Sequence, residues 1–269
     1  MTKILFQGDD FGFTRGVTLG IVDSIDRGVL RNTGLFANMP SAAFAVSFMK
    51  DRPQACFGID FNLVSGPCCA DPKEIPHLVD EEGNFIRSGV RTRDPRWQTV
   101  EGRAELFPYD EVEKEILAQY NRFIELTGRK PEYLHEHSIS SENYRKAIHN
   151  LSVKENIPYS SEIWKELGLD KPQQKLFMNN MATQKKIFDP NDQLNKDTVK
   201  QFMDLREELV ANGTSAFCCH PGYVDADLLT LTTLSLERAK DAAMMQSEEV
   251  MKWIKENNVE LITYRDLVK

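Results

Sequence analysis

Four predicted strand ends in the sequence carry carboxylate or imidazole side chains. These side chains are Asp9, Asp10, Asp60, His135, His137 and His220. Groups of these two kinds bind divalent cations, activate water and transfer protons. A single aspartate after a strand is often a turn residue, and a single histidine beside a proline is often structural. The whole set is harder to explain in that way, and it favours a bound cation and hydrolytic chemistry.

Asp60 is the most informative member of this set. It falls among apolar residues of the predicted strand 56–63, where an unpaired carboxylate is costly and a cation or an ion pair would relieve the cost. In a short loop, His135 or His137 could turn toward an ion shared with the aspartates. Adjacent aspartates such as Asp9 and Asp10 also allow one carboxylate to bind the metal while the other accepts a proton from the attacking water.

The elements that must position these side chains alternate between strand and helix. Apolar runs predict strands at 3–7, 33–37, 56–63, 133–135, near Tyr159, 216–219 and 260–263. Helical spacing of apolar residues predicts helices at 15–27, 42–49, 111–127, 142–155, 197–211 and 236–256. This alternation predicts an α/β fold, a distorted (β/α) barrel of about seven parallel strands, with an open doubly wound sheet as the alternative. In such barrels the working residues lie at the carboxyl ends of the strands.

Two segments interrupt the alternation and are predicted to be lid-like insertions. Residues 65–108 and 168–195 are rich in Pro, Asp, Lys and Gly, and both are too long for plain connections. We expect them to belong to a single domain that spans residues 1–269, because this length suits one barrel better than two domains.

Composition argues against several classes of protein. The 33 basic and 41 acidic residues give a net charge of −8 without a clustered basic stretch, which argues against a nucleic-acid partner. No apolar run is long enough for a membrane span or a signal peptide, so we expect no membrane partner and a cytoplasmic location. Four of the five cysteines form the adjacent pairs Cys68-Cys69 and Cys218-Cys219, a pattern that predicts reduced thiols. The composition leaves a homo-oligomer open.

Four ordered motifs resemble those of the YdjC-like carbohydrate deacetylases, the chitooligosaccharide deacetylase family. The motifs are Gly8-Asp-Asp-Phe-Gly12, Gly58-Ile-Asp-Phe-Asn-Leu63, Pro131-Glu-Tyr-Leu-His-Glu-His137 and His220-Pro-Gly-Tyr-Val-Asp225. The first motif is fairly specific when His-Pro-Gly follows far downstream. Residues 235–267 are also similar, so the resemblance covers nearly the whole chain.

The resemblance implies a distorted barrel that removes an N-acetyl group from a small amino sugar with a divalent ion. Carried over by position, it implies that Asp9 is the general base and that His220 protonates the departing amine. It also implies that Asp10 and His137 are metal ligands.

Two positions depart from the family pattern, because the family usually has His where this chain has Asp60 and Asp where it has His135. The exchange keeps one imidazole and one carboxylate, which favours a rearranged site with Asp10, Asp60 and His137 as ligands and His135 as a supporting residue. Two carboxylates and one imidazole shift the preference from Zn²⁺ toward Mg²⁺ or Mn²⁺, with Mg²⁺ favoured.

The same departures also permit a different class of function. A catalytically inactive sugar-binding or regulatory protein could keep the barrel after its metal site had lost activity. Metal-dependent hydrolysis of a phosphate ester is a third alternative, because paired aspartates suit that reaction too. For the deacetylase and for the sugar-binding protein, the expected partner is a small carbohydrate.

Overall fold

A curled parallel sheet forms the centre of the computed structural model, which describes residues 1–174 and 189–267. Its strands are β1 (Lys3–Phe11), β2 (Asn32–Leu35), β3 (Cys56–Phe61), β4 (Leu134–Glu136), β5 (Thr214–Cys219) and β6 (Glu260–Leu261). Five of them follow the order β4-β3-β2-β1-β5, and β6 pairs with β1 outside this path. All these pairings are parallel, so the carboxyl ends of the strands lie at one edge of the sheet.

β6 and β2 lie along the same edge of β1, with β6 beside its amino-terminal half and β2 beside its carboxyl-terminal half. At Lys3, β1 pairs with both β5 and β6, whereas at Gln7 and Gly8 it pairs with both β5 and β2. Because a strand has only two edges, β6 and β2 must share the edge opposite β5, at different heights. The C-terminal segment therefore pairs with the amino-terminal half of β1, the half that precedes the paired aspartates.

The predicted α/β class and parallel alternation are confirmed, but the described residues form six strands in an open sheet, not a barrel of about seven. Within the described ranges, β4 and β5 end the main path and do not pair with each other. The strand predicted near Tyr159 is a single parallel bridge to Leu134. It does not extend because the chain enters a helix at Ser160.

The helices surround this sheet. They are α1 (Arg15–Asp26), α2 (Ala42–Val46), α3 (Ser88–Arg91), α4 (Val100–Leu106), α5 (Tyr109–Thr127), α6 (Glu142–Glu155), α7 (Ser160–Leu167), α8 (Pro190–Leu194), α9 (Thr198–Asp204), α10 (Arg206–Asn212), α11 (Ala226–Leu231), α12 (Glu237–Met245) and α13 (Glu248–Glu256). Within the described ranges, no helix combines the length and apolar character needed to cross a bilayer.

Local signals account for the helix boundaries. Thr14 and Ser141 cap α1 and α6, since each hydroxyl accepts a hydrogen bond from the backbone N–H three residues later. The helix predicted at 236–256 is divided into α12 and α13, because Ser247 adopts an extended conformation and caps the second helix. The helix predicted at 197–211 is likewise divided into α9 and α10, at Leu205.

The core lies on both faces of β1. Every residue from Ile4 to Phe11 is buried, and α1 packs Val17, Ile21 and Ile25 into the same apolar cluster. Each fully buried side chain of this kind contributes about 1.5–3 kcal/mol. These contacts hold β1 rigidly in the middle of the sheet.

The insertion at 65–108 packs against the main core. Its side chains Leu78, Phe85 and Phe107 are buried in the central apolar cluster, and Arg87 Nη2 donates a hydrogen bond of 2.7 Å to the carbonyl of Thr230 on α11. A lid function for this segment stays a prediction. Half of the second predicted insertion, 168–195, falls on residues 175–188, which lie outside the described residues.

Candidate metal-binding and catalytic site

The six predicted site residues meet at the carboxyl edge of the sheet. Asp9 and Asp10 come from the end of β1, Asp60 from β3, His135 from β4, His137 from the residue after β4, and His220 from the residue after β5. Parallel pairing explains the meeting, because it places the ends of distant strands side by side. The geometry divides the six into a cluster around Asp10 and a second cluster around Asp9.

An irregularity at the end of β1 lets two consecutive aspartates face one site. In a regular strand, neighbouring side chains point to opposite faces. Here the register of β1 with β2 shifts between Gly8 and Phe11, and Asp10 has a φ of 73°, in the left-handed region. Such a conformation is uncommon for a residue other than glycine and is concentrated at functional sites.

Asp10, Asp60 and His137 form a cluster that fits a divalent cation. One ligand atom from each residue lies within 4.8 Å of the others. Asp10 and Asp60 are both 0% exposed. In the described part of the chain, Oδ1 of Asp60 has no hydrogen-bond partner. Oδ1 of Asp10 lies 2.9 Å from His137 Nδ1 in an ion-pair contact and has no partner with full hydrogen-bond geometry among the described residues. Two buried, unsatisfied carboxylate oxygens beside an imidazole nitrogen are the donor set that a hard divalent cation would satisfy.

Electrostatics make Asp60 the member of this cluster that most needs a cation. Burial, together with the negative charge of Asp9, raises the pKa of Asp60 to about 8. Among the described residues, its second oxygen, Oδ2, accepts a single hydrogen bond, of 3.2 Å, from the backbone N–H of Asp10. A divalent cation at this point would favour the ionised carboxylate.

Arg238 is a site residue that sequence reasoning missed. It lies on α12, is 1% exposed, and places Nη2 2.5 Å from Oδ2 of Asp10. Although burial opposes ionisation of Asp10, Arg238 and then His137 hold the pKa of that carboxyl well below its usual range. The only available signal was spacing: Arg238 falls on the buried face of α12 with Asp241, Ala242 and Met245.

Asp9 forms the second cluster with His135. It does not belong to the metal-type cluster of Asp10, Asp60 and His137. Its Oδ1 accepts a 2.7 Å hydrogen bond from Gln7 Nε2. Its Oδ2 lies 3.5 Å from His135 Nε2 and accepts a 3.1 Å hydrogen bond from the thiol of Cys218. The other ring nitrogen of His135, Nδ1, lies 2.6 Å from the hydroxyl of Ser160. Both nitrogens of His135 are therefore engaged by the protein.

The charges of Asp9 and His135 support each other. Burial disfavours the charged form of each group, but Asp9 raises the pKa of His135 to about 9. In return, His135 holds the pKa of Asp9 well below its usual range against the same burial. The pair is an imidazolium and a carboxylate at neutral pH. His135, for which a supporting role is predicted, therefore contacts Asp9 directly.

His220 is the most accessible of the six side chains. Its side chain is 34% exposed, and Nε2 lies 4.0 Å from Oδ2 of Asp9. The backbone N–H of His220 donates a 3.0 Å hydrogen bond to Asp241 Oδ2, which fixes the loop after β5. Burial, with a contribution from Arg238, lowers the pKa of His220 despite the opposing charge of Asp10. Its imidazole is therefore neutral at neutral pH and can accept a proton.

Two cavities in the described residues lie elsewhere on the surface. One, of about 450 Å³, is lined by residues that include Met39 and Cys69. The other, of about 480 Å³, is lined by residues that include Arg52 and Arg265. None of the six site residues lines either cavity. The chemistry of the side chains, not the volume of a cavity, therefore identifies the candidate site.

Comparisons with known proteins agree along nearly the whole chain. The model of the YdjC-like protein family matches residues 3–256. Carbohydrate deacetylase 2 of Listeria innocua serovar 6a is 31% identical over 272 residues, covering 99% of both chains. The carbohydrate deacetylase of Geobacillus stearothermophilus is 28% identical over 270 residues, covering 98% of both.

A solved structure resembles the fold. It is that of a protein from Enterococcus faecalis V583 proposed to cleave cellobiose phosphate, with a TM-score of 0.76 and 21% sequence identity. The match covers 100% of this chain and 99% of that one. At this identity the likeness supports the fold alone.

Proposed function

The chain belongs to the YdjC-like protein family, and from that membership we propose that it is a carbohydrate deacetylase, a metal-dependent hydrolase that removes the N-acetyl group from an acetylated amino sugar or short chitooligosaccharide. Two of its full-length relatives carry the name carbohydrate deacetylase. The observation that carries the proposal is the pair of buried oxygens of Asp10 and Asp60 beside His137, which have no hydrogen-bond partner among the described residues.

The Asp10, Asp60 and His137 side chains are the residues that would hold the cation. When bound, a divalent ion supplies Lewis-acid activation of the acetyl carbonyl and of water. Two carboxylates and one imidazole favour Mg²⁺, with Mn²⁺ or Zn²⁺ as alternatives. Arg238 keeps Asp10 ionised, so one ligand is ready before the cation arrives.

Asp9 and His220 supply the proton transfers in this proposal. Oδ2 of Asp9, the oxygen that faces His220, accepts a proton from the attacking water as the new C–O bond forms. Because His135 keeps the pKa of Asp9 low, that proton passes readily to the neutral imidazole of His220. His220 then protonates the sugar nitrogen as the C–N bond breaks, which releases the free amine and acetic acid, and the acid loses its proton to solvent to give acetate.

His135 acts through Asp9 and does not touch the substrate. Its two ring nitrogens are engaged by Ser160 and Asp9, so it is a positioning residue. The positive charge of its ring stabilises the Asp9 carboxylate between reaction cycles.

Acetate release from N,N′-diacetylchitobiose tests the proposal. The chelator-treated protein should be inactive, and Mg²⁺, Mn²⁺ or Zn²⁺ should restore activity. His137→Gln should abolish metal-dependent activity, whereas the matched change His149→Gln should not, because His149 lies on α6 in an exposed ion pair with Glu162. If no ion and no N-acetyl sugar yields acetate, the deacetylase proposal is wrong.

A sugar-binding protein without turnover is the second candidate. The observation that favours it is that Asp10 and Asp9 are each paired with a cationic side chain, Arg238 and His135, so both acids are already neutralised without a metal. Calorimetry would select this candidate if it showed micromolar sugar binding that a chelator leaves unchanged, with no acetate produced.

A further inference from the structure

Gln7 and Tyr264 form a buried relay that ends on the Asp9 carboxylate. The hydroxyl of Tyr264 donates a 2.6 Å hydrogen bond to Gln7 Oε1, and Gln7 Nε2 donates a 2.7 Å hydrogen bond to Asp9 Oδ1. Gln7 and Tyr264 are both 0% exposed. Gln7 and Asp9 are two residues apart on β1, a spacing that places their side chains on one face of a strand.

The relay has one stable arrangement. An amide presents a donor at one end and an acceptor at the other. If the Gln7 amide were turned over, its oxygen would face the Asp9 carboxylate, and two acceptors would be left in contact. The Tyr264 hydroxyl occupies the acceptor end, so the donor end must point at Asp9. Burial raises the pKa of Tyr264 well above its usual value, so this hydroxyl keeps its proton.

Tyr264 is itself held firmly under the sheet. Its backbone N–H donates a 3.1 Å hydrogen bond to Asn32 Oδ1, and the Asn32 amide donates to the carbonyls of Phe6 and Ile262. The Tyr264 ring stacks on Tyr133, with 4.1 Å between the ring centroids. The segment after β6 is thereby tied to β1 and β2 directly below the site.

The relay decides which oxygen of Asp9 faces the reaction. Gln7 occupies Oδ1, whereas the imidazoles of His135 and His220 approach Oδ2. We infer that Gln7 and Tyr264 are positioning residues that hold Asp9 with Oδ2 turned toward the reacting atoms. This inference rests on the proposed deacetylase function, and it adds Tyr264, which lies far along the chain from the four motifs.

The stacked tyrosines provide a matched pair for the test. Tyr264→Phe removes the hydroxyl that begins the relay, while Tyr133→Phe removes a buried hydroxyl that has no hydrogen-bond partner among the described residues. Both changes keep the ring stack. Tyr264→Phe should lower kcat about 10-fold and leave KM within about twofold, because the lost alignment matters in the transition state. Tyr133→Phe should leave both constants within about twofold.

Gln7→Met extends the test to the middle of the relay. This change removes the donor at similar volume and should lower kcat about 10- to 100-fold, the range seen when a supporting hydrogen bond to a site residue is lost. The double variant with Tyr264→Phe should be no slower than Gln7→Met alone, since two members of one relay are not additive. Binding of Mn²⁺ should stay within about threefold in every variant, because the metal-type cluster is intact.

An amide-exchange measurement separates the failure of this inference from the failure of the proposed function. In the metal-free protein, the side-chain amide signal of Gln7, identified by its loss in Gln7→Met, should exchange with solvent at least about tenfold faster in Tyr264→Phe but not in Tyr133→Phe. Equal kcat values and equal exchange rates in the two tyrosine variants would overturn the relay. A wild-type protein that exchanges as expected but releases no acetate would overturn the deacetylase proposal alone.

Discussion

Asp60 and His135 are direct register partners on the neighbouring strands β3 and β4. These are the two positions at which the family resemblance predicts a departure, and they lie side by side in space. His135 nevertheless makes its ion-pair contact among the described residues with Asp9, 3.5 Å away. One member of the exchanged pair therefore serves the metal-type cluster, and the other serves the Asp9 cluster.

The exchanged pair should be coupled in metal binding. Asp60→Asn should weaken Mn²⁺ or Mg²⁺ binding about 10- to 100-fold, and His135→Asn somewhat less. The double reversal, Asp60→His with His135→Asp, should bind metal better than the sum of its single changes predicts, because neighbours in one network are not independent. Turnover should not recover, since His135→Asp places a second carboxylate against Asp9. Calorimetry and acetate release measure the two effects separately, and strictly additive losses of affinity would mean that the two positions are unrelated.

Metal uptake should release protons near neutral pH. The pKa of Asp60 is about 8 without metal, so below pH 8 the cation must displace its proton. Affinity should therefore fall as the pH falls from 8 to 6, by up to about tenfold per unit for this group. Calorimetric titration in buffers of different ionisation enthalpy counts the protons, and Asp60→Asn should reduce the count. Affinity that stays constant over this pH range would contradict the prediction.

Arg238 should stabilise the metal-free protein. Arg238→Met leaves the Asp10 carboxylate buried without its partner, a change that costs about 3–5 kcal/mol of unfolding free energy. Added Mg²⁺ or Mn²⁺ should then stabilise the variant more than it stabilises the wild type, because the cation replaces the missing positive charge. Denaturant unfolding with and without metal provides the measurement. The exposed arginine of the Arg122–Glu125 pair offers a control, since Arg122→Met should change neither value appreciably.

Gly34 should be required for the placement of Asp60. A Cβ atom at Gly34 would lie 2.7 Å from the Cβ of Asp60 and 3.1 Å from its backbone nitrogen, and neither atom is the end of a flexible side chain. Gly34→Ala should therefore displace β3, lower stability by about 1–3 kcal/mol and weaken metal binding at least about tenfold. Thermal unfolding and calorimetry test both effects.

Gly89→Ala is the matched control for Gly34→Ala, because a Cβ at Gly89 would meet no atom within 4 Å. It should leave stability and metal affinity near the wild-type values. Equal metal affinity in the two alanine variants would show that Gly34 has no part in the site.

Much of the site could be predicted from local sequence. Asp10, Asp60 and His137 can be singled out because each lies at or near the carboxyl end of a predicted strand, and parallel strands bring such ends together whatever their separation along the chain. Their roles as ligands stay a prediction, which for Asp10 and His137 comes from the family resemblance. Caps such as Thr14 and Ser141 depend on residues only three positions away. The open sheet could not be predicted in this way. The apolar pattern near Tyr159 predicts a further strand, but the chain makes only one bridge there, to Leu134, before a helix begins at Ser160.

The sequence by itself determined the set of chemical groups, the order of the strands and helices, and the edge of the sheet at which the groups meet. The tertiary structure alone decided how those groups are paired: Arg238 with Asp10, Tyr264 through Gln7 with Asp9, and His135 with Asp9 rather than with a ligand. The physical reason is the separation along the chain over which each kind of interaction acts. Apolar periodicity and capping act over three or four residues, whereas Arg238, Tyr264 and His135 lie more than a hundred residues from the two aspartates along the chain and reach them only through the packing around β1.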